Sequence, residues 1–599
     1  MRVADYIMQK IVESGVHTVF MVPGGGAMHL NDALGRCSSL RYVCNLHEQA
    51  SAVAAENCAK IVKGPGACLV TTGPGSTNAL TGVVGAWQDS TPVVFVSGQV
   101  KRADSSCGLG VRCLGVQEVD IVGMVANCTK YACTLNDPTT VRYHVEKAFH
   151  LMRAGRPGPV WIDVPLDVQA TKIDPDSQPG YVPENPQAGV AGELSVSVAT
   201  MIEMLNQAER PVVLVGNGVR LAGAESAMFE MLERLNVPVL TTWLAIDILH
   251  DDHPLFIGRP GAVAPRGANF TLQNADFLLT IGARLDLVIT AFSHEHFARA
   301  AKKVMVDIDP AEIGKMKTPI HLPVVADAGE FIDEVLAQQA SVDAQPRAAW
   351  WDRCRSWKKQ YPVVLAEHRE HQGRVSVYAL AEAIGRELCG GEIIVSGSSG
   401  SGIEIFLHAL HVKPRQRVLH TTALGSMGFA LPAVVGAGVA SPGTPIIAVD
   451  GDGGFFFNIQ ELETIHRLNL PAKIFVLNND GFSSIRNSQQ YWFKDNLVAA
   501  DATSGLTLPN IVRVAEAFGL GVARIESQDS LQEQLRDVLA MPGPVVCEVM
   551  VIPDEARIPR VSSLQKEDGT FVSKPLEDLF PFLDRNEFLA NMIIPPLPE

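Results

Sequence analysis

The stretch from Thr444 to Arg486, TPIIAVDGDGGFFFNIQELETIHRLNLPAKIFVLNNDGFSSIR, predicts the fold better than any other part of the chain. It opens with a short apolar run, PIIAV, typical of a parallel β-strand buried on both faces. The run ends at a glycine-rich turn, DGDGG, where the backbone can turn sharply and bring its amides close to an anion. Asn458 and Glu461 match a capping box, which predicts a helix through about Leu468. A second apolar run, KIFVL, then delivers Asn478-Asn479-Asp480-Gly481 to the same sheet edge, because the carboxyl ends of parallel strands lie together.

This sheet edge carries the ligands that a hard cation prefers. Asp452 supplies a carboxylate, Asn479 an amide oxygen and the backbone near Gly481 a carbonyl oxygen, which leaves positions for a diphosphate and water around an octahedral Mg²⁺. The phosphate charge would face the helix start and the glycines of the turn, Gly451, Gly453 and Gly454. Without a ligand, the same pattern would be an ordinary strand–helix–strand unit. The combination of Gly-Asp-Gly with Asn-Asn favours the ligand site.

The composition is that of a well-buried globular protein. Its 599 residues are 47% hydrophobic and 19% charged, which predicts several domains of about 150 to 200 residues each. A net charge of −16 at pH 7 argues against a nucleic acid or an anionic membrane as the main partner. The 11 cysteines lack metal-ligand spacing, no apolar run reaches membrane-spanning length, and the N-terminus does not read as a secretory signal. We therefore expect a cytoplasmic protein.

Strand and helix patterns alternate along the chain, which predicts an α/β fold of three doubly wound parallel sheets. A proline-rich linker precedes the second unit, and a charged helical stretch precedes the third. The tail is either a surface strap or a lid over the mouth of the active site. The predicted units are residues 1–170, 190–340 and 373–555, with the tail over 556–599.

Glu48 follows a short strand of the first unit, in the sequence LHEQ. A glutamate at a strand–helix junction is typical of a helix start, where the helix dipole stabilises its charge. Beside a diphosphate anchor, a second interpretation is a carboxylic acid that exchanges a proton with a cofactor ring. The strand PVVLV of the second unit runs into Gly216-Asn217-Gly218, but a lone Gly-x-Gly is weak evidence for a nucleotide site.

Three patterns together resemble thiamin diphosphate (ThDP) enzymes of the acetohydroxyacid synthase-like branch. They are Glu48 at its strand end, Gly451-Asp452-Gly453 followed by Asn478-Asn479, and the segment Gly425 to Pro432. The resemblance covers about residues 1–555. It implies a ThDP pyrimidine-binding domain, a central FAD-type domain, and a domain that binds the diphosphate and Mg²⁺. It also implies a homodimer or homotetramer, in which Glu48 of one chain meets the cofactor held by another.

The resemblance also assigns roles to single residues. Glu48 would be the catalytic acid that favours the reactive tautomer of the aminopyrimidine, and Gly25 and Gln117 would line the reaction intermediate. From its sequence alone, Gln117 is equally well a surface polar residue, and Met427 is equally well core filler. In the resemblance, Met427 holds the cofactor bent, and the remaining ThDP contacts are Ser399, Thr72 and Asn78. The flavin contacts would be Arg156, Gly216, Gly218, Arg284, Asp309 and Asp327, in a branch where the flavin is usually structural.

The branch decarboxylates pyruvate and joins the acetyl unit to a second carbonyl. This chain departs from it where the acceptor binds, because Asn487-Ser488-Gln489 stands where the branch has Trp-Gln. The predicted acceptor pocket is formed by Ile485, Ser488 and Gln489. A serine in place of the tryptophan would make room for a bulkier ketone. The Asn-Asn loop and the tail are also similar to yersiniose-type ThDP flavoenzymes of bacterial surface-sugar pathways.

We therefore expect a transferase that joins the acetyl unit of pyruvate to a ketone such as a nucleotide-linked keto-sugar. Acetolactate formation from pyruvate or a 2-keto acid is the first alternative. An FAD-dependent pyruvate oxidase would use the same cofactors and is the second. A ThDP-binding protein without catalysis is disfavoured, because Glu48, Asp452 and Asn479 are all present.

Overall fold

Three six-stranded parallel sheets with helices packed on them form the body of the molecule, so the predicted fold class is confirmed. Buried apolar strands make each sheet, as expected when helices cover both faces. The domain boundaries given above stay predictions. The computed structural model describes residues 1–183, 191–343, 346–397, 400–494, 496–565, 569 and 571–597.

The first sheet has the strand order β2-β1-β3-β4-β6-β5. Its strands are β1 (Thr18–Met21), β2 (Arg41–Cys44), β3 (Gly66–Val70), β4 (Val93–Gln99), β5 (Tyr131–Thr134) and β6 (Val160–Pro165). Its helices are α1 (Val3–Glu13), α2 (Met28–Arg36), α3 (Glu48–Val62), α4 (Pro74–Asn78), α5 (Leu80–Gln88), α6 (Ile121–Val125), α7 (Val141–Arg153) and α8 (Leu166–Ala170).

The second sheet has the order β12-β11-β10-β7-β8-β9. Its strands are β7 (Pro211–Val215), β8 (Val239–Thr241), β9 (Phe256–Gly258), β10 (Phe277–Ile281), β11 (Lys302–Asp307) and β12 (Leu322–Val325). The helices of this part are α9 (Ala191–Asn206), α10 (Gly218–Leu221), α11 (Glu225–Leu235), α12 (Arg266–Gln273), α13 (Pro310–Gly314), α14 (Ala328–Ala337), α15 (Ala348–Gln360) and α16 (Ala366–Glu370).

The third sheet has the order β14-β13-β15-β16-β18-β17. Its strands are β13 (Ile393–Ser396), β14 (Arg417–Leu419), β15 (Ile446–Gly451), β16 (Ala472–Asn478), β17 (Gly521–Ile525) and β18 (Val545–Met550). Its helices are α17 (Val377–Glu387), α18 (Ala430–Ala440), α19 (Asp452–Phe455), α20 (Glu461–Arg467), α21 (Ser483–Phe493), α22 (Ile511–Ala517) and α23 (Leu531–Ala540), with a π-helix at Ser401–Leu407.

The tail packs on the second unit through buried polar contacts. It contains an antiparallel hairpin, β19 (Ser563–Gln565) with β20 (Phe571–Ser573), and helix α24 (Arg585–Asn591). The carboxylate of Glu577 accepts from Gln273 Nε2 (2.8 Å) and pairs with Arg299 (2.7 Å). These contacts hold its last part as a strap on the second unit, and a lid role for the tail stays a prediction. No helix within the described part of the chain is long and apolar enough to cross a membrane.

Candidate active site

The turn after β15 and the loop after β16 meet at one edge of the third sheet. Asp452 is buried, and its carboxylate accepts backbone N–H bonds from Gly453 (2.8 Å), Asn479 (3.2 Å) and Gly481 (2.9 Å). These bonds fix the orientation of the carboxylate. Burial nevertheless raises the pKa of Asp452 to about 6, against the effect of the three amides. A cation beside it would favour the charged form.

Asn479 brings a second oxygen to the same point. Its Oδ1 lies 2.6 Å from the carbonyl oxygen of Gly481 and 3.3 Å from Oδ1 of Asp452. Three acceptors this close repel one another unless the amide turns over and donates its NH₂, or unless a cation lies among them. The three predicted metal ligands therefore come together, and their oxygens fit Mg²⁺. No cluster of three or more His, Cys, Asp or Glu that could hold a metal occurs within the described ranges.

The glycines of the turn have different tasks. A Cβ on Gly451 would meet nothing within 4 Å, so this backbone is open to a ligand. A Cβ on Gly453 would lie 2.3 Å from the ring of Phe482, and one on Gly454 would lie 2.5 Å from Asp450 Oδ1. Close packing thus requires Gly453 and Gly454, while Gly451 faces open space.

The helix after the turn differs from the prediction. It is broken into α19, a 3₁₀ turn at Phe456–Asn458, and α20, which begins at Glu461. Asn458 does not cap a helix, because its Nδ2 donates to the carbonyl of Gly428 (2.7 Å). The capping-box prediction was wrong, since both residues of the motif serve partners distant in the sequence. Asn458 ties the cation turn to the segment that carries Met427.

Glu48 is the first residue of α3, as its helix-start interpretation requires, and His47 caps the helix by accepting from the Gln49 N–H (3.1 Å). The Glu48 side chain is half-buried, and its Oε2 accepts from Nδ2 of Asn78 (2.9 Å). The structure therefore brings together Glu48 and one of the predicted cofactor contacts. The carboxylate stays partly open to solvent in the single chain.

The other predicted residues of the first unit lie at the same sheet edge. A Cβ on Gly26, next to Gly25, would lie 1.9 Å from Thr72 Oγ1, so the loops after β1 and β3 touch. A Cβ on Gly73 would lie 2.2 Å from the carbonyl oxygen of Gln117. Gln117 is exposed and has a φ of 64°. Gly25, Thr72 and Gln117 thus belong to one cluster of loops near Glu48.

Met427 lies on an exposed turn between Gly425 and Gly428, both of which have positive φ (66° and 81°). Its side chain is 37% exposed. In the single chain it is therefore not core filler, and its role against a cofactor stays a prediction. Ser399, another predicted cofactor contact, lies outside the described residues.

The predicted acceptor residues lie on α21, which starts beside the cation loop. Ile485 is 45% exposed, and the Ser488 hydroxyl donates only to the carbonyl of Ile485 (2.9 Å) among its described contacts. Gln489 differs, because its amide donates to the Val498 carbonyl (3.1 Å) and accepts from the Val498 N–H (2.9 Å). Gln489 therefore holds the following loop, whereas Ile485 and Ser488 both stay exposed.

The segment that leads into the Met427 turn packs beside α3 in the same chain. Helices α3 and α18 pack closely, since a Cβ on Gly436 would lie 2.3 Å from the carbonyl oxygen of Ala54. A Cβ on Gly85 would lie 3.2 Å from Glu56 Oε2 and 3.8 Å from Leu424 Cδ2, which places Leu424 near Glu56. Glu48 precedes Glu56 by eight residues, or about 12 Å of helix.

A cavity of about 650 Å³ lies where the three units meet. Four of the predicted flavin contacts line it, namely Arg156, Gly218, Arg284 and Asp327. Gly216 is not among its lining residues and packs against Gly282, whose carbonyl oxygen lies 2.1 Å from the position of a Cβ. Asp309 is also not among the lining residues. Its carboxylate caps α13 and pairs with Arg156 (3.2 Å), which does line the cavity.

Sequence reasoning missed several residues that shape this cavity. Gln88 of the first unit, Trp243 of the second and Thr422 and Ala423 of the third all line it. Arg284 donates to the Gln88 carbonyl (2.7 Å), which joins two units at the cavity wall. No local motif marks these residues, because they become neighbours only when the units pack.

Three family descriptions match successive parts of the chain. They are the thiamine pyrophosphate enzyme N-terminal TPP binding domain (residues 1–124), the central domain (198–335) and the C-terminal TPP binding domain (400–549). TPP is another abbreviation for ThDP. The three matches correspond in order to the three sheets.

Similar proteins extend over nearly the whole chain. Acetolactate synthase 3, chloroplastic, of Brassica napus is 33% identical over 587 residues, covering 95% of this chain and 86% of that protein. Acetolactate synthase isozyme 1 large subunit of Escherichia coli (strain K12) is 32% identical over 559 residues, covering 93% and 95%. A probable acetolactate synthase large subunit of Methanocaldococcus jannaschii is 31% identical, covering 93% of each chain. The chain therefore belongs to the thiamine pyrophosphate enzyme family, with acetolactate synthases among its relatives along almost its full length.

Proposed function

We propose that the protein is a ThDP-dependent carboligase that decarboxylates pyruvate and transfers the two-carbon acetyl unit to a carbonyl acceptor. The observation that carries this proposal is the convergence of the Asp452, Asn479 and Gly481 oxygens beside the open backbone of Gly451. Such a set holds Mg²⁺ together with a diphosphate. ThDP, when bound, supplies an electron sink for the decarboxylation of a 2-keto acid.

The residues of the chain then divide the work. Asp452, Asn479 and Gly481 hold the cation, and Gly451 gives the diphosphate access to the backbone. Glu48 holds and moves a proton at the aminopyrimidine ring, and Asn78 orients its carboxylate. The loops that carry Gly25, Thr72 and Gln117 form the wall against which pyruvate is oriented, and Met427 supports the cofactor from the opposite unit.

The active unit in this proposal contains at least two chains, as a homodimer or homotetramer. Glu48 lies about 12 Å along α3 from the point where Leu424 packs, and Leu424 leads directly into the Met427 turn. A second copy that brings its own Met427 turn and cation site to Glu48 would complete the site. The half-buried state of Glu48 in one chain agrees with a surface that a second chain covers.

FAD fits the cavity between the units. The cavity of about 650 Å³ has room for a dinucleotide. Arg156 and Arg284 lie in its wall, where their guanidinium groups would bind the phosphates. Gly218 packs against Gly282 and lines the cavity at the end of β7, where nucleotides bind in such sheets. We propose a structural flavin. A pyruvate oxidase is less favoured, since the relatives carry the name acetolactate synthase.

The acceptor has two candidates. The relatives favour a second pyruvate or another 2-keto acid, which would make the product an acetolactate-type acid. Ser488 favours a larger ketone, such as a nucleotide-linked keto-sugar of the yersiniose-type reaction. The small side chain of Ser488, bonded to the Ile485 carbonyl, leaves the face of α21 open.

Purified protein incubated with ThDP, Mg²⁺ and pyruvate, with and without nucleotide-linked 4-keto-sugars, tests both candidates by mass spectrometry of the products. Acetolactate as the sole product assigns the 2-keto acid acceptor. A branched tertiary alcohol that outcompetes acetolactate assigns the ketone, and Ser488→Trp should then restore acetolactate as the main product. Oxygen consumption in step with pyruvate loss, without any carbon–carbon bond formation, would refute the proposal.

A further inference from the structure

The backbone that leads into Glu48 is held by a side chain of the third unit. Glu461 is fully buried (0% exposed), and its Oε1 accepts from the backbone N–H of Leu46 (2.9 Å). Its Oε2 accepts from Nδ2 of Asn45 (2.8 Å) and from Oγ1 of Thr464 (2.8 Å). Three donors thus satisfy one buried carboxylate, which is the condition under which such a group is retained without a high desolvation penalty.

A second side chain of α20 holds the residue before Asn45. Arg467, at the end of α20, donates to the carbonyl of Cys44 (2.8 Å). Side chains of α20 therefore form hydrogen bonds with residues 44, 45 and 46 in succession. Asn45 is itself buried (1% exposed), so its amide has no water to replace a lost partner. Glu48 follows two residues after Leu46, as the first residue of α3.

Helix α20 also belongs to the chain segment that follows the cation turn. Asp452 precedes Glu461 by nine residues, and Asn458 between them is tied to the Gly428 turn. We propose that Glu461 is a positioning residue that sets the place of Glu48. Because Glu48 serves the cofactor of the adjoining chain in the proposed dimer, α20 links the cation turn of one active site to the acid of the other. This inference rests on the proposed two-chain active site.

Glu461→Gln keeps the shape of the side chain but replaces an acceptor oxygen by an NH₂ group that faces a donor. Losing one such buried bond should let the backbone of residues 44–48 shift. We expect kcat for pyruvate decarboxylation to fall by about tenfold to hundredfold, which corresponds to the free energy of roughly one or two buried hydrogen bonds. Glu461→Asp should lose less. Affinity for ThDP and Mg²⁺ should change by less than about threefold, since the cation ligands lie elsewhere in the unit.

The experiment compares Glu461→Gln with Glu463→Gln, which removes a charge from the same short helix two residues further on. Of these two variants, only Glu461→Gln should show faster amide hydrogen exchange in a peptide spanning residues 44–52, measured in the cofactor-free protein. Asn45→Ala removes one donor from the other side and should raise the same exchange. It also provides a second test if Glu461→Gln does not fold.

Two results would overturn the inference. One is unchanged exchange and unchanged kcat in both Glu461→Gln and Asn45→Ala. The other is a parallel fall of kcat, ThDP affinity and Tm, which would mean that Glu461 only stabilises the fold. The exchange measurement needs neither cofactor nor product. A failure of the wild-type protein to form any carboligation product would therefore refute the proposed function without deciding the role of Glu461.

Discussion

Asp452→Asn is the most direct test of the cation site. The carboxylate accepts three backbone N–H bonds, so an asparagine in its place must turn its NH₂ toward at least one donor. It also leaves the protein with only neutral oxygens, those of Asn479 and Gly481, to offer to the cation. Removing the charged member of a buried pair costs about 3 to 5 kcal/mol. We therefore expect Mg²⁺ affinity in the presence of ThDP to fall by a factor of about 10² to 5 × 10³.

The assay is a titration of Mg²⁺ into protein saturated with ThDP, followed by intrinsic tryptophan fluorescence and by calorimetry. Asp480→Asn is the matched control, because Asp480 lies on the same loop but is exposed and pairs with Arg374 (2.6 Å). That control should change the Mg²⁺ affinity by less than about threefold, as expected for an exposed and screened charge. Equal affinity in Asp452→Asn and wild type would refute the assignment of Asp452 as the charged ligand.

Other changes probe the cavity, the unit interface and the loop beside Glu48. Asp247→Asn removes the buried carboxylate that lies 2.6 Å from both Arg220 and Arg417, and leaves only the more distant Glu225 (3.6 Å) beside Arg220. Calorimetry should therefore show a clearly lower Tm from a loss of about 3 kcal/mol or more, and an unchanged Tm contradicts this. Arg284→Ala should weaken FAD binding about tenfold in a flavin fluorescence titration, and equal affinity would remove Arg284 from the flavin site. The pKa of Glu118 falls from 4.5 to about 2, because backbone and serine hydrogen bonds outweigh the opposing effect of burial. The stabilisation that the ionised Glu118 carboxylate gives to the 105–118 loop is therefore complete above about pH 4.5, and it is lost as the pH falls through about 2. Hydrogen exchange of this loop, corrected for intrinsic rates, should stay flat from about pH 5 to pH 8, and Glu118→Gln should raise it throughout.

Local patterns predicted the elements that build the cofactor edge. Buried apolar strands and glycine turns mark both the Asp452 turn and the Asn479 loop, and strand periodicity then places them side by side. The same reasoning failed at Asn458 and Glu461. Their spacing matches a capping box, but their side chains instead bond to Gly428 and to Leu46. A short motif cannot reveal this, since tertiary partners decide where a buried polar group finds its hydrogen bonds.

The residues that line the cavity could also be predicted only in part. Arg284 and Asp327 were candidates because the family resemblance implies them as flavin contacts. Trp243 and Thr422 belong to different units and share a wall only after the units pack. Gln489 was predicted to line the acceptor pocket because Asn487-Ser488-Gln489 stands where the resembled branch has Trp-Gln, and that role stays a prediction. Its amide bonds to the backbone of Val498, a loop contact that helix position alone does not predict.

The proposed cofactor half and the proposed acceptor half of the site are held by different kinds of contact. Backbone amides orient the Asp452 carboxylate and close packing fixes Gly453 and Gly454, so that geometry depends on the main chain, while loss of the Asp452 or Asn479 side chain removes a ligand. The proposed acceptor face of α21 consists of side chains, and within the described part of the chain Ser488 bonds only to the Ile485 carbonyl of its own helix. A change there alters the room for a substrate at little cost to the fold. The decisive comparison is therefore Ser488 against Ser488→Trp, with both acceptors in one reaction.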